Sequence, residues 1–550
     1  MTRARRTLRG GMMAYPLTLG HFIERAGTLF ADKPVLSVEE SGVERSTWGR
    51  VRSGSRALAA ALADLGIEPG QRVATLAWNH RRHLEAYFGV PCSGAVLHTI
   101  NVRLSAGQIA GILRHGGARV VLADPEFVDL LDAVAPSVPA LRMRVVMGGE
   151  APPGWSAYDA LVARHAYDSA GYRWPELDEE AAAGLCYTSG TTGQPKGVLY
   201  SHRALALHAM AIALPDGFGL AEADVILPAV PMFHANAWGL PHVAAMVGAT
   251  LVLPGARPSP ELIVDLLEAH AVTFAAGVPT VWLGVLDALR PRRARLAPRL
   301  RIHSGGAPSP PALIEAFRRR GVEVLTGWGM TELSPVGMVT HPRGHLSTLP
   351  PGELLALRTS QGTPLPFVEA RVVDESGSPV PHDGASPGEL EVRGPWVIRR
   401  YFRSRDASAF HDGWLRTGDI ATVDGLGYVR LVDRTKDLIR SGGEWISSVQ
   451  LEHALMDHPA VSEAAVVAVP NPKWQERPVA CVVLRPGSGA DAGELLRALE
   501  GRFPRWWIPD RVVFLDALPR TGTGKFDKRE LRARLGAAAS TPANRRPHSS

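Results

Sequence analysis

Tyr187-Thr188-Ser189-Gly190-Thr191-Thr192-Gly193-Gln194-Pro195-Lys196-Gly197 follows an apolar run, Leu185–Thr188, that reads as a buried strand, and precedes a helical pattern over Ser201–Ile212. Three glycines free the backbone to turn its N–H groups inward, and four Ser/Thr hydroxyls and one lysine add donors. That combination suits a polyphosphate. Pro195 before the lysine and Gly197 after it exclude the GxxxxGK[ST] loop. A solvated Gly/Ser/Thr linker has a similar composition, but the strand before the loop and the density of donors favour phosphate. A phosphate loop set between strand and helix predicts an α/β architecture.

The alternation continues on both sides. Upstream, Arg52–Leu65 carries apolar residues at helical spacing and Arg72–Trp78 reads as a buried strand. Ala95–Ile100, Arg119–Ala123 and Arg144–Met147 are further strand-like runs, with helical Ala106–Leu113 and Glu126–Val134 between them. Downstream, strands are predicted at Val225–Val230, Thr250–Leu253, Thr273–Ala276, Leu300–His303 and Val322–Leu325, with helices interposed. From Arg45 to Arg343 this rhythm predicts parallel sheets covered by helices. Beyond Leu365, Phe367–Val373, Gly388–Val392 and Tyr428–Val432 predict a smaller β-rich subdomain. After Asp433 a compact α+β segment is expected, with helices at Ser448–Met456 and Ala492–Phe503 and strands at Glu463–Val469, Val479–Leu484 and Arg511–Phe514. The expected organisation is a large N-terminal domain over 15–433 and a small α+β C-terminal domain over 434–536. Irregular ends are expected at 1–14 and 537–550, with Met12 or Met13 as an alternative start.

Bulk properties narrow the function classes. At 550 residues the chain exceeds one ordinary core, and 45% hydrophobic with 21% charged residues is the balance of a soluble globular protein. No apolar stretch is long enough to span a bilayer. The net charge of +6 arises from 60 Lys+Arg against 54 Asp+Glu, and much of the excess sits near the two ends. This suits anionic small molecules and not a nucleic-acid face. Cys92, Cys186 and Cys481 are the only cysteines, without zinc-like or disulfide spacing, so a reducing cytoplasm is expected. The basic start lacks the apolar stretch of a secretory signal.

The loop resembles the signature of the adenylate-forming superfamily, which comprises acyl-CoA synthetases, peptide-synthetase adenylation domains and luciferases. Further signatures of that family follow in order: Gly327-Trp328-Gly329-Met330-Thr331-Glu332, Thr417-Gly418-Asp419, Asp433-Arg434-Thr435-Lys436-Asp437, and Pro519-Arg520-Thr521-Gly522-Thr523-Gly524-Lys525. The resemblance covers roughly residues 15 to 535, and motifs in this number and order are not chance. Within the family the chain looks most like bacterial fatty-acyl-CoA ligases of medium- or long-chain type. The stretches His98-Thr99-Ile100-Asn101-Val102-Arg103-Leu104, Pro231-Met232-Phe233-His234-Ala235-Asn236-Ala237-Trp238 and Ser441-Gly442-Gly443-Glu444-Trp445-Ile446-Ser447-Ser448 carry that likeness.

The resemblance implies ATP, Mg²⁺ and coenzyme A as co-substrates and cofactor. A carboxylate attacks the α-phosphorus of ATP without a general base, so the site must supply positive charge and a metal. By resemblance, Thr188 and Glu332 hold Mg²⁺, and Lys525 bridges the carboxylate and the α-phosphate. Ser189, Gly190, Thr191, Thr192, Gly193, Lys196, Thr331, Arg434, Lys436 and Arg440 serve the phosphates and ribose. Gly306, Ala307, Gly327, Trp328 and Gly329 form the nucleotide cleft, with Trp328 stacked on the adenine and Asp419 accepting from the ribose hydroxyls. The family often has Tyr at the position of Trp328 and Lys at that of Arg440. His234 is placed beside the acyl carboxylate, Trp238 at the acyl gate and Gly305 in a small-residue wall. Lys436 marks a hinge about which a mobile C-terminal domain turns, bringing Gly442, Gly443, Glu444 and Trp445 to the site for the thiol step.

The same resemblance leaves open an acyl-AMP ligase that loads a carrier protein in trans, or a ligase for methylthio-alkanoate or aryl acids. An in-line carrier domain is not expected after Gly536. A homodimer is suggested by relatives. An inactive adenylate-binding regulator is disfavoured by intact Glu332, Asp419 and Lys525.

Overall fold

The computed structural model describes residues 10–166, 168–188, 195–442, 444–522 and 525–539. The expected phosphate donors Ser189, Gly190, Thr191, Thr192 and Gly193, the thiol-step residue Gly443, the side chain of Glu444 and most of the two expected irregular ends lie outside that description.

Two sheets with parallel centres dominate. One orders its strands as Thr363–Pro364, Val336–Val339, Glu323–Gly329, Arg301–Ser304, Phe274–Gly277, Val225–Pro228, Thr250–Leu253, Pro34–Glu39 and Gly42–Thr47. The run from Glu323–Gly329 to Pro34–Glu39 is parallel, and antiparallel strands flank it on both edges. The second orders Ser156–Ala157, Met143–Val146, Ala118–Ala123, Arg72–Leu76, Val96–Thr99, Ala182–Tyr187 and Gly197–Ser201, with only the last pair antiparallel. The parallel strands read as apolar runs because helices bury both their faces. Helices Trp48–Asp64, Arg81–Cys92, His202–Ala213 and Leu240–Val247 lie between the sheets, where Val73, Leu97 and Val120 of one sheet share a core with Val35, Leu251 and Phe274 of the other. Separate cores cover the outer faces.

Two expectations are corrected here, and one strand is added. The helix expected over Ser201–Ile212 is present, but strand Gly197–Ser201 comes between it and the phosphate loop: Val198 and Tyr200 are buried while Leu199 is 38% exposed, the period-two pattern of a half-buried strand. Helix His202–Ala213 starts only afterwards, with Ser201 accepting at its N-terminus from the Ala204 N–H. The sheet begins earlier than Arg45, at Pro34–Glu39, preceded by helix Gly20–Leu29. The helix expected to Phe503 stops at Arg497, where the chain turns through Gly501 at φ +76°.

An antiparallel sheet of Glu369–Val373, Gly388–Arg393, Trp414–Val423, Phe410–His411 and Val429–Arg434 forms the expected β-rich part. The last sheet joins Glu444–Ile446, Ile439–Ser441, Gln475–Leu484, Val461–Asn471 and Arg511–Phe514, with helices Ser448–Met456 and Lys528–Ala539 packed on it.

Candidate active site

Segments leaving the carboxyl ends of parallel strands converge, as open α/β sheets require of a binding site. These are Thr188 after Ala182–Tyr187, Asn101–Arg103 after Val96–Thr99, His234 after Val225–Pro228, Gly305–Ala307 after Arg301–Ser304, and Thr331–Glu332 after Glu323–Gly329. Asn79, which follows strand Arg72–Leu76 and was not singled out from the sequence, braces one of them. Its side chain donates to the Pro228 and Val230 carbonyls (3.0 and 2.9 Å) and accepts from the Met232 N–H (2.7 Å), which fixes the chain leading to His234.

At the neck of the phosphate loop the Thr188 N–H donates to the Lys196 carbonyl (3.0 Å) and the Lys196 N–H donates to Thr188 Oγ1 (3.2 Å). The Lys196 ammonium stands 3.6 Å from Asp406 and 4.7 Å above the ring of Tyr401. Tyr401 in turn donates its hydroxyl to Glu332 Oε1 at 2.7 Å. Glu332 is only 6% exposed, and burial raises its carboxyl above the usual range against the opposing bond from Tyr401. The neighbouring Thr331 carbonyl accepts from Tyr200 at 2.7 Å.

Trp328 and Asp419 meet although 91 residues separate them: the indole Nε1 donates to Asp419 Oδ2 at 2.8 Å. Asp419 pairs in register with Arg434 across the antiparallel sheet. Its Oδ1 lies 3.1 Å from Arg434 Nε but out of line for a hydrogen bond, so this buried oxygen has no donor among the described residues. A buried acceptor without a donor is costly and fits an incoming hydroxyl. Asp419 holds the Arg434 guanidinium firmly charged. Gly327 and Gly329 are required by space: a Cβ on Gly329 would stand 2.1 Å from the Pro335 carbonyl oxygen, and one on Gly327 would stand 2.6 Å from the His303 ring.

Lys525 enters this cluster from the C-terminal part. Its Cε lies 3.4 Å from where a Cβ on Gly306 would sit, so a small residue there gives it room. Burial first, then the cations Arg434 and Lys436, lower the Lys525 ammonium to about 8, while Asp419 and Glu332 oppose the fall. His234 is lowered to about 3 by burial, then by Lys525 and Arg103, so it is neutral and offers a donor or an acceptor. Arg103 lies over Trp78 and Phe233 and donates to the Gly522 carbonyl at 3.3 Å, which anchors the loop bearing Lys525.

Trp238 is not at a helix start. Ala235, Asn236, Ala237 and Trp238 have φ of +42°, +54°, +46° and +57°, and Gly239 follows at +80°, a left-handed turn before helix Leu240–Val247. Such backbone costs roughly 1–2 kcal/mol per non-glycine residue and is held by its surroundings. All four side chains are buried, and Asn236 Oδ1 accepts from Cys186 at 3.5 Å. The turn sets His234 on one side and lays Trp238 over Gly305 and Gly306, whose Cβ positions are 3.4 and 3.6 Å from its ring. His303 meets Trp238 edge-on with centroids 5.4 Å apart. Ala307 is exposed beside this wall.

Not every expected residue joins the cluster. Arg440 stacks on Trp445 (4.5 Å) and its N–H donates to Glu476. Gly442, at φ +63°, donates its N–H to the Trp474 carbonyl, and Trp445 is 39% exposed. The stretch expected to act as a hinge is pinned behind: Asp433 Oδ2 accepts from Ser448 N–H and Oγ (2.7 and 2.6 Å), and Lys528 bonds Ser448 Oγ and Glu452 at 2.6 Å each. Burial pushes Glu452 up to about 7, with Lys528 opposing. Lys436 is lowered by burial and Arg434.

No group of three or more His, Cys, Asp or Glu side chains suited to a metal occurs among the described residues. One carboxylate, Glu332, and one hydroxyl, Thr188, are hard oxygen donors. They fit Mg²⁺, which keeps waters and substrate phosphates and needs no protein cage.

A family model described as AMP-binding enzyme matches residues 23–402, and one described as AMP-binding enzyme C-terminal domain matches 450–525. A long-chain-fatty-acid–CoA ligase of Thermus thermophilus is 49% identical over 95% of this chain and 96% of its own. A 3-methylmercaptopropionyl-CoA ligase of Ruegeria pomeroyi is 45% identical over 95% and 98%. The crystal structure of an anthranilate CoA ligase with anthranoyl-AMP superposes with a TM-score of 0.85 at 26% identity, over 96% of this chain and 100% of that one.

Proposed function

The chain belongs to the AMP-binding enzyme family, and we propose that it is an ATP-dependent, AMP-forming fatty-acid–CoA ligase acting on medium- or long-chain acids. In the first step an oxygen of the acid carboxylate attacks the α-phosphorus, the bond to the β-phosphate oxygen breaks, and pyrophosphate leaves. In the second the thiol sulfur of coenzyme A attacks the acyl carbon, AMP departs with the former carboxylate oxygen, and the thiol proton passes to solvent. AMP is the leaving group, so no protein nucleophile is needed.

Lys525 neutralises charge between carboxylate and α-phosphate, a task for a compact cation on a mobile stem. His234 positions the carboxylate, Trp328 stacks on adenine and Asp419 Oδ1 takes a ribose hydroxyl. Residues 189–193, Lys196, Thr331, Arg434 and Lys436 attend the phosphates. Thr188 and Glu332 would hold Mg²⁺, which supplies charge neutralisation on the phosphates. Arg440 adds a cation for the phosphates and ribose, and the Gly442–Trp445 stretch serves the thiol step after a rotation at Lys436. We divide the chain into 15–433 and 434–536 and place it in the cytoplasm. Free, buried Cys92, Cys186 and Cys481 agree with a reducing compartment.

The observation that carries this reading is the meeting of Lys525 with Glu332, Asp419 and Arg434 beside neutral His234. A second reading, a short thioether acid as substrate, is favoured by Trp238 lying over Gly305 and Gly306, which under this reading shortens the acyl site. Pyrophosphate release across acids from acetate to oleate, with methylthio-propanoate included, tests both. The first expects its maximum at medium or long chains and the second at the thioether acid. Release with none of them overturns the ligase. Coenzyme A in parallel with a holo-carrier protein identifies the acceptor.

A further inference from the structure

We infer that Tyr401 is a positioning residue for the nucleotide-cleaving step, registering the Glu332 carboxylate against the exit of the phosphate loop. This rests on the reading that Glu332 and the loop handle the nucleotide phosphates. Tyr401 is 7% exposed, and its hydroxyl donates to Glu332 Oε1 at 2.7 Å while its ring lies 4.7 Å beneath the Lys196 ammonium. One rigid side chain therefore touches both the acidic and the basic partner of the polyphosphate, which local sequence places 136 residues apart (332 minus 196).

The backbone around Tyr401 repeats the same connection. The Ile398 N–H donates to the Glu332 carbonyl at 3.0 Å, and the Phe402 N–H donates to the Gly197 carbonyl at 2.8 Å. The approach on the loop side is close, since a Cβ on Gly197 would stand 3.1 Å from Phe402 Cβ. Further back, Ser334 Oγ donates to the Trp396 carbonyl and the Trp396 indole donates to the Val336 carbonyl. Residues 396–402 thus lace the segment after Trp328 to the strand leaving the phosphate loop. The Tyr401 side chain reaches functional atoms on both sides, Glu332 Oε1 and the Lys196 ammonium. A hydrogen bond from a hydroxyl fixes a carboxylate's rotamer, and a ring face gives an ammonium a resting place that phosphates can outcompete.

The test uses the full chain with Tyr401→Phe, which removes one oxygen and keeps the ring. Pyrophosphate release is measured as a function of ATP, acyl transfer from supplied acyl-AMP to coenzyme A separately, ATP binding by calorimetry across Mg²⁺ concentrations, and Tm. Loss of one hydrogen bond to a charged group corresponds to about a tenfold fall in kcat/KM for ATP. The Mg²⁺ needed for half-maximal ATP binding rises alongside, while KM for the acid, the transfer step and Tm are unchanged. Tyr401→Leu, which also strips Lys196 of its ring, falls further in the first step alone. An unchanged kcat/KM for ATP in Tyr401→Phe, or equal losses in both half-reactions, overturns the inference. A wild-type chain that releases no pyrophosphate defeats the ligase reading itself, a separate outcome.

Discussion

Raising the pH from 7 to 9 discharges Lys525. Its ammonium is held at about 8 because burial disfavours the charge and Arg434 and Lys436 crowd it. At pH 7 roughly nine-tenths of the population carries the proton, and at pH 9 roughly one-tenth does. If the charged form alone bridges carboxylate and α-phosphate, kcat/KM for pyrophosphate release without coenzyme A falls about tenfold across that interval. The stability sign is opposite. The unfolded lysine titrates near 10.5, so between about 8 and 10.5 the unfolded chain holds the proton that the folded chain has lost, and this group's contribution to stability rises with pH. Its full penalty is present below 8. Activity lost while denaturant midpoints hold is therefore a charge effect and not unfolding. Lys525→Arg keeps its charge throughout and is expected to be slower but flat over the same range. A wild-type rate that stays level to pH 9, or an arginine variant with the same alkaline fall, refutes the assignment.

Lys525→Ala is expected to abolish pyrophosphate release yet leave acyl transfer from supplied acyl-AMP largely intact; equal loss in both contradicts the role. Asn236→Val places a β-branched side chain at φ +54° and is expected to cost about 1–3 kcal/mol in thermal unfolding and to raise KM for the acid. Asn236→Gly, which suits that backbone, is expected to retain most of both. Lys528→Met leaves buried Glu452 and Asp433 without their cation and is expected to destabilise the C-terminal part by about 3–5 kcal/mol, with much of the loss recovered when Glu452→Leu is added. Thermal unfolding read on the C-terminal part checks this.

Strands with continuous apolar runs between turn residues were legible: Thr250–Leu253, Arg511–Phe514 and helix Ser448–Met456 fall where the pattern predicts. Helix Gly20–Leu29 escaped because Leu19 stands at its N-cap with no side-chain bond to mark the start. Strand Trp414–Val423 escaped because Thr417-Gly418-Asp419 reads as a turn. In the fold it is a strand with Gly418 at φ +70°, shifted in register beside Ile420. The site motifs were legible because each is contiguous. Tyr401 and Asn79 were not, since their partners lie 69 and about 150 residues away, and nothing local in the sequence distinguishes a tyrosine that bonds a carboxylate from one that fills a core. The left-handed turn was hidden for a related reason: four residues without glycine gave no sign of positive φ, and burial by neighbours holds them there.

Isotope transfer from the acid tests the chemistry most directly. With both carboxylate oxygens of a fatty acid labelled with ¹⁸O, in the presence of ATP, Mg²⁺ and coenzyme A, one labelled oxygen is expected in the AMP phosphate and one in the thioester carbonyl. Label in pyrophosphate or inorganic phosphate, or thioester formation with unlabelled AMP, contradicts passage through an acyl-adenylate.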